Sequence, residues 1–129
     1  MGAPVYANEG ARFISNYNNY EAVEMRRLDS FHLNHISFIK IDTENFEQEV
    51  LKGAAETIAK NRPVMLIEIQ GNYVKAQEDN IDMELEGQKS IQILKSMLYN
   101  VYHYACFDYL AIPMEKSEIV LPNLVLVGN

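Results

Sequence analysis

The order of apolar and polar residues predicts two buried strands joined by an amphipathic helix near the middle of the chain. Residues 36–41 form a nearly continuous apolar run that Lys40 interrupts, and residues 64–69 form a second run that contains Glu68. Runs of this kind are typical of strands buried on both faces of a parallel sheet. Between the runs, apolar residues recur at helical spacing and are predicted to share one face: Phe46, Val50, Leu51, Ala54 and Ile58.

The predicted helix has clear signals at both ends. Thr43 or Asn45 is expected to cap its first turn, because either side chain can accept a hydrogen bond from a free backbone N–H. Acidic residues crowd the first turn, where the helix dipole favours negative charge. Pro63 should end the helix and keep Arg62 out of the helical conformation. The charged residues expected to face solvent are Glu47, Glu49, Glu56 and Lys60.

The flanking segments carry weaker patterns. Within residues 1–31, two short β-like runs at 12–15 and 22–25 surround the turn-forming residues 16–19, which predicts a hairpin-like excursion. Residues 72–87 are polar and acidic, and they predict a solvated connection or, because of its length, a lid.

The C-terminal third of the chain predicts one helix and a group of strands. The helix spans residues 88–99 and would bury Ile91, Leu94, Met97 and Leu98. Strands are predicted at residues 101–106, 108–112 and 123–127, and the short turns between them indicate an antiparallel hairpin.

These elements predict an α/β fold in a single domain. Two strand–helix–strand connections imply right-handed crossovers and a parallel sheet with helices packed on it. A chain of 129 residues has the length of one domain. Its expected organisation is a β excursion over residues 1–31 followed by an α/β core over residues 32–129.

Composition narrows the classes of function. A net charge of −7 argues against nucleic-acid binding, which relies on clustered Lys and Arg. The chain has no membrane-spanning apolar run and no signal-peptide pattern. Cys106 is its one cysteine and lies in an apolar stretch, so we expect a packed core thiol in a reducing, cytoplasmic protein. His32, His35 and His103 lack a metal-ligand pattern and are expected to be solvated, with no metal site.

Carboxylates gather where the two predicted core strands end. Asp42 and Glu44 follow the first strand, and Glu68 lies at the end of the second. Ligands of open α/β sheets bind at the carboxyl ends of the strands, and adjacent strands lie about 4.8 Å apart. The carboxylates could therefore face one cavity, raise each other's pKa and supply a general base, or hold a divalent cation. The structural alternatives are an ion pair between Glu68 and Lys40 and a dipole-stabilising role for Glu44.

The same stretch resembles the FkbM family of S-adenosylmethionine-dependent methyltransferases. Its pattern begins with Leu28-Asp29, continues through Ile-Lys-Ile-Asp-Thr-Glu-Asn at residues 39–45 and a second block at residues 47–54, and ends with the Pro-led strand at residues 63–68. Asn45 stands where the family has glycine. Asn tolerates left-handed backbone better than most residues, so we expect the turn to survive.

The resemblance implies the last four strands of a seven-stranded, Rossmann-like methyltransferase sheet. It also implies an O-methyltransferase that uses S-adenosylmethionine and acts on a hydroxyl of a small molecule or sugar. None of the six glycines forms the glycine-rich cofactor loop of such a fold, which suggests a truncated form. The alternative is a non-catalytic half-domain that self-associates or docks through the exposed edge of residues 36–41. The implied roles are catalysis for Asp42, Glu44 and Glu68, cofactor binding for Asp42, Thr43 and Asn45, and substrate binding for Lys40 and Tyr73.

Overall fold

The chain folds into a five-stranded open sheet with helices packed on it. A computed structural model describes residues 24–116, 118 and 124–128. The order of the strands across the sheet is β1-β2-β4-β3-β5. The strands are β1 (Phe38–Ile41), β2 (Val64–Glu68), β3 (Tyr99–Ala105), β4 (Asp108–Pro113) and β5 (Val125–Leu126), and the helices are α1 (Glu47–Gly53), α2 (Ala55–Asn61), α3 (Tyr73–Glu78) and α4 (Met83–Ser96).

This architecture confirms the predicted α/β class and is consistent with a partial Rossmann-like sheet. Strand β1 pairs with β2 in parallel. Strands β3 and β4 form the predicted antiparallel hairpin. The pairs β2 with β4 and β3 with β5, which the sequence did not predict, are also antiparallel. Residues of three helices and of alternate strand positions share one core, which includes Leu51, Ile58, Met65, Ile67, Leu94, Tyr99 and Val101. No helix among the described residues is long and apolar enough to cross a bilayer.

Strand β1 differs from the prediction because it is not buried on both faces. Ile41 is buried, but Phe38 is 54% exposed and Lys40 is also exposed. The reason is that β2 is the only neighbour of β1 among the described residues, and the face that carries Lys40 is not covered by a helix. The apolar run therefore marks the edge of the described sheet rather than its centre.

The first predicted helix forms as two short helices. The backbone leaves the helical conformation at Ala54, between α1 and α2, but Leu51, Ala54 and Ile58 are buried as predicted. Helix α2 ends at Asn61, and Arg62 adopts a left-handed conformation (φ 51°) before Pro63, as expected.

The capping of α1 was predicted wrongly. Its N-cap is Phe46, which makes no side-chain capping bond. Glu47, which we expected to face solvent, is buried, and its carboxylate points towards the turn that precedes the helix. It accepts hydrogen bonds from the Thr43 hydroxyl at 3.0 Å and from the Asn45 backbone N–H at 3.1 Å. Thr43 therefore donates to the first turn rather than accepting from it.

Asp29 caps α2 from a distant part of the chain. It lies in a short 3₁₀ helix, Leu28–Phe31, where the sequence had suggested a β excursion; the rest of that excursion, up to residue 23, lies outside the described residues. The buried Asp29 carboxylate accepts from the Thr57 N–H at 2.8 Å, the Thr57 hydroxyl at 2.8 Å and the Glu56 N–H at 3.1 Å. Burial opposes ionisation, but these hydrogen bonds and Arg27 outweigh it, so the pKa of Asp29 is lowered.

The acidic segment 72–87 is mostly helical, so the predicted loop or lid is wrong. Asn72 caps α3 by accepting from the Lys75 N–H at 3.1 Å, and Asp82 caps α4 by accepting from the Leu85 N–H at 2.7 Å. Acidic side chains near the start of a helix stabilise it through capping and the helix dipole. The acidic residues at the start of α4 therefore indicate the beginning of a helix rather than a solvated connection.

Two predicted core residues near the C-terminus are exposed. Leu98 follows α4 in a left-handed conformation (φ 63°) and is 61% exposed, whereas Ile91 and Leu94 are buried as predicted. Cys106 lies at the turn between β3 and β4 (φ 42°) and is exposed, not packed in the core. In both places the chain reverses direction, and a turn carries its side chains outward whatever their hydrophobicity.

Arg62 holds the end of α2 against the start of β3. Its guanidinium makes two hydrogen bonds to Glu115, at 2.6 and 3.0 Å, and two more to the carbonyls of Met97 and Leu98. The bond from Arg62 is the main reason that the pKa of Glu115 falls to about 2. The guanidinium also stacks 4.6 Å from the centre of the Tyr99 ring. The Arg62 side chain thus joins the end of α2, the start of β3 and the segment that carries Glu115, which are distant from one another in sequence.

The cap at Asp29 can be tested by mutation. Asp29→Ala should lower the free energy of unfolding by about 1–2 kcal/mol at neutral pH, the usual effect of removing a helix cap. Because the pKa of Asp29 is lowered in the folded state, its contribution is present above the usual pKa of an aspartic acid. It should fade as the pH falls through the lowered value. Urea titrations of both proteins between pH 7 and pH 3 measure this difference.

The matched control is Asp79→Ala, which removes an exposed carboxylate paired with Lys89. Surface ion pairs contribute little, so its effect should stay below about 1 kcal/mol. Equal effects of the two substitutions would contradict the capping role of Asp29.

Candidate functional site

The candidate site lies where β1 and β2 end. The parallel register pairs Lys40 with Leu66 and Ile41 with Ile67. Asp42 and Glu68 occupy the next positions in this register, and residues that pair in a sheet project from the same face. The structure therefore brings Asp42 and Glu68 together, as the sequence predicted, on the face that the helices leave uncovered.

The pKa of Glu68 is raised by its neighbours. The Gln70 amide donates a hydrogen bond to Glu68 Oε1 at 2.6 Å, and this bond favours the ionised carboxylate. Partial burial, a hydrogen bond shared with the Asp42 carboxyl, and the charges of Asp42 and Glu44 together outweigh it. A carboxylate with a raised pKa is a stronger base than an isolated one, which is the property that proton removal requires.

Lys40 does not pair with Glu68. Its ammonium lies 3.6 Å from an oxygen of Asp42, and its side chain is 62% exposed. The register explains the difference: Lys40 lies beside Leu66, whereas Asp42 is two residues further along on the same face of β1. Lys40 thus places an accessible cation at the margin of the carboxylate pair.

The turn between β1 and α1 is left-handed. Glu44 has φ 49° and Asn45 has φ 79°, which confirms that Asn45 supports the turn in place of glycine. The Asn45 carbonyl also accepts from the Asn72 side-chain amide at 3.0 Å. This bond joins the loop after β1 to the loop after β2 and keeps the ends of the two strands together.

Tyr73 lies at the start of α3, immediately after the loop that follows β2. Its ring is 60% exposed, and its hydroxyl accepts from the Gln77 amide at 2.5 Å within the same helix. The predicted contact between Tyr73 and a substrate stays a prediction.

Glu86 is a supporting residue that the sequence interpretation missed. Its side chain is 1% exposed, although it belongs to the acidic segment expected to be solvated. One carboxylate oxygen accepts from the Gln48 amide at 2.5 Å, and the other accepts from the Asn72 backbone N–H. A signal was present, since Glu86 shares a helical face with the buried Ser90 and Leu94.

Gly71 allows the close approach on which this arrangement depends. It has φ 91°, and a Cβ there would lie 2.2 Å from the Met83 carbonyl oxygen at the start of α4. Only glycine fits that conformation and spacing. The end of β2 therefore lies directly against α4, which carries Glu86 to the loop.

The described residues offer no clear metal centre. They contain no group of three or more His, Cys, Asp or Glu side chains suited to a metal ion. His32 and His35 are exposed with positive φ angles, and the His103 ring makes a hydrogen bond with the Cys106 carbonyl oxygen at 2.9 Å. A further carboxylate, Asp108, lies opposite Glu68 in the register of β2 and β4, a position that sequence patterns alone do not reveal.

A groove of about 370 Å³ adjoins the carboxylate pair through Gln70. Gln70 lines the groove and also donates to Glu68. The volume is within the range of small-molecule sites, roughly 300–1,000 Å³. Polar and aromatic side chains share the lining, which includes Gln70, Glu84, Gln88, Cys106, Phe107 and Tyr109.

Glu86→Ala should destabilise the protein by about 1–3 kcal/mol, because it leaves the partly buried Asn72 N–H without its acceptor. The matched control is Glu84→Ala on the exposed side of the same helix, which should change the free energy of unfolding by less than about 0.5 kcal/mol. Chemical denaturation measures both. Similar values for the two variants would show that Glu86 does not hold the loop.

Comparison with known proteins identifies the family. The Methyltransferase FkbM domain matches residues 2–101, most of the chain and the range that contains both carboxylate-bearing strand ends. No curated protein and no solved structure matches the chain. The matched range contains β1, α1, α2, β2, α3 and α4. The chain belongs to the FkbM methyltransferase family.

Proposed function

We propose that this protein takes part in S-adenosylmethionine-dependent methylation of a hydroxyl group on a small molecule or sugar, with Glu68 as the base. Membership of the FkbM family supports methyl transfer. The observation that carries the assignment of the base is the raised pKa of Glu68 beside Asp42, at the end of two parallel strands. Ligands of open α/β sheets bind at this end.

The acceptor hydroxyl must lose a proton as its oxygen gains a methyl group. Gln70 donates to one oxygen of Glu68, and Asp42 lies close enough to raise the pKa of the same carboxyl group. Glu68 therefore takes the proton, and Asp42 stabilises the protonated form. Positioned proton transfer of this kind contributes roughly 10²–10⁴-fold to a rate.

The residues predicted to hold the cofactor fit a cationic ligand. S-adenosylmethionine would supply an electrophilic methyl group on a positively charged sulfur. Asp42 offers a partly exposed carboxylate, and the side-chain amide of Asn45 is not engaged by any described residue. Thr43 donates its hydroxyl proton to Glu47 and keeps its oxygen as an acceptor. We assign Asp42 and Asn45 to hold the donor, with Thr43 supporting them.

The groove beside Gln70 is the proposed site of the acceptor. Its amide and carboxylate groups suit hydroxyl-rich molecules, and the rings of Phe107 and Tyr109 offer apolar faces of the kind on which a sugar ring packs. Lys40, which is exposed beside Asp42, would contact the acceptor at the opposite side of the carboxylate pair.

Calorimetry with S-adenosylmethionine tests the donor site. We expect the full chain to bind with a micromolar dissociation constant and Asp42→Asn to bind at least tenfold more weakly. Glu56→Gln removes an exposed carboxylate on α2 and should bind like the unaltered protein. Absence of binding, together with a dimer in light scattering, would contradict the proposal and favour the alternative of a non-catalytic module that associates through β1. A truncated domain, a homodimer and a cytoplasmic location stay predictions.

The pH dependence of methyl transfer tests Glu68. Rates can be measured with methyl-labelled S-adenosylmethionine and a panel of monosaccharides and glycosides. Because Glu68 acts in its ionised form and its pKa is raised, the rate should climb with pH through a midpoint above that of an ordinary glutamate. Glu68→Gln should lower the rate by about 10²–10⁴-fold and remove this part of the profile. An unchanged profile would exclude Glu68 as the base.

A further inference from the structure

Among the described residues that line the groove beside Gln70, one side chain is charged, and its charge is negative. This side chain is Glu84, in the first turn of α4, and it shares the lining with two carboxamides and two aromatic rings. Its carboxylate is exposed to solvent and makes no ion pair with another described residue. A carboxylate without a partner at the wall of a groove is available to a ligand.

The basic residues that the structure describes lie elsewhere. All of the 11 Lys and Arg residues except Arg12 belong to the described part of the chain, and none of these lines the groove. Lys89, on the same helix as Glu84, pairs with Asp79. The described wall of the groove therefore offers no cation to an anionic acceptor.

The start of α4 does not replace the missing cation. A helix N-terminus carries a partial positive charge, equivalent to roughly half an elementary charge, which attracts anions. Here the Asp82 side chain accepts from the Leu85 N–H at 2.7 Å, and Glu84 and Glu86 belong to the first turn. These carboxylates outweigh the partial charge, so the helix start that adjoins the groove is negative.

A protonated amine fits the groups that the groove presents. Glu84 can accept a charge-assisted hydrogen bond from an ammonium group, which is stronger than a bond between neutral groups. The rings of Phe107 and Tyr109 present faces that attract cations. The carboxamides of Gln70 and Gln88 offer donors and acceptors to the hydroxyl groups of the same molecule. A phosphate on the acceptor would instead be repelled by Glu84.

We propose that the acceptor is an amino sugar and that Glu84 selects it by pairing with its ammonium group. This inference rests on the proposed function, because it takes the groove beside Gln70 as the acceptor site. Glu84 determines specificity here, while Glu68, to which Gln70 donates from the same groove, receives the hydroxyl proton. The net charge of −7 favours the approach of a cationic acceptor and opposes that of a phosphorylated one.

Calorimetry with four matched ligands tests the charge preference without a methyl donor. Methyl glucosaminide, its N-acetyl derivative and methyl glucoside differ only at C2, and glucose 6-phosphate carries the opposite charge. At a pH that keeps the amine protonated, the full chain should bind methyl glucosaminide about fivefold more tightly than the neutral glycosides, the upper end for an exposed ion pair. Glucose 6-phosphate should bind most weakly. Absence of glucosaminide binding, equal binding of glucosaminide and glucoside, or tighter binding of the phosphate would overturn the proposal.

Glu84→Gln tests whether this residue causes the preference. The substitution keeps the size of the side chain and removes its charge, so methyl glucosaminide and methyl glucoside should then bind alike. The matched control is Glu56→Gln, which changes the net charge equally at an exposed position on α2 and should retain the preference. A preference that survives in Glu84→Gln, or that Glu56→Gln also removes, would contradict the role of Glu84.

The salt dependence of binding is a second measurement, and it needs no variant. Dissolved ions screen exposed charges, so the preference for methyl glucosaminide should shrink between about 0.05 M and about 0.5 M sodium chloride. A preference that does not change with salt would exclude an ion pair with Glu84 as its cause.

Methyl-transfer assays distinguish a failure of this inference from a failure of the proposed function. Transfer to amino and neutral sugars with equal KM would support the proposed function and overturn the selection by Glu84. The expected binding preference without any transfer would support the selection and contradict the proposed function. Where transfer occurs, Glu84→Gln should raise the KM of the amino sugar about fivefold and affect kcat less, because Glu84 touches no reacting atom.

Discussion

The parallel register of β1 against β2 is the constraint on which the candidate site depends. Ile41 lies beside Ile67, so Asp42 and Glu68 emerge together from one face. A slip of one residue would turn Glu68 towards the helices, where Met65 and Ile67 now pack without exposure to solvent. The apolar contacts of those two residues with the core therefore hold the carboxylates in place, and packing on one face of the sheet determines the electrostatics of the other.

The loops after the two strands keep this pairing from opening. Asn72 contacts both sides of the junction, since its side chain caps α3 and donates to the Asn45 carbonyl. Glu86 holds the Asn72 backbone from α4, and Gly71 allows that helix to lie close enough to do so. The two carboxyl groups are therefore held at the same end of the strands. Partial burial and the neighbouring acids Asp42 and Glu44 together outweigh the hydrogen bond from Gln70, so the pKa of Glu68 is raised.

Local sequence patterns predicted most of the central strands and helices, because the patterns that specify these elements involve residues close in sequence. The apolar runs, the helical spacing of Leu51 and Ile58, and Pro63 after the helix all predicted elements that are present. The meeting of Asp42 and Glu68 followed from a general property of parallel strands. The burial of Cys106 and Leu98 was predicted wrongly. Both residues lie where the chain reverses direction, and there hydrophobicity does not determine whether a side chain is buried.

The amino-acid sequence by itself determined the α/β class, the parallel strand pair and the family, because these depend on periodic patterns and fixed spacings. Only the tertiary structure decided the partners of individual charges. Asp29 caps a helix 27 residues away, Glu86 is buried against a loop that is distant in sequence, and Lys40 pairs with Asp42 rather than Glu68. Periodicity can indicate that a charged side chain is buried, as for Glu86, but it does not indicate which group that side chain contacts. Its environment depends on which distant backbone groups the packed helices bring within reach, and that is known only once the chain has folded.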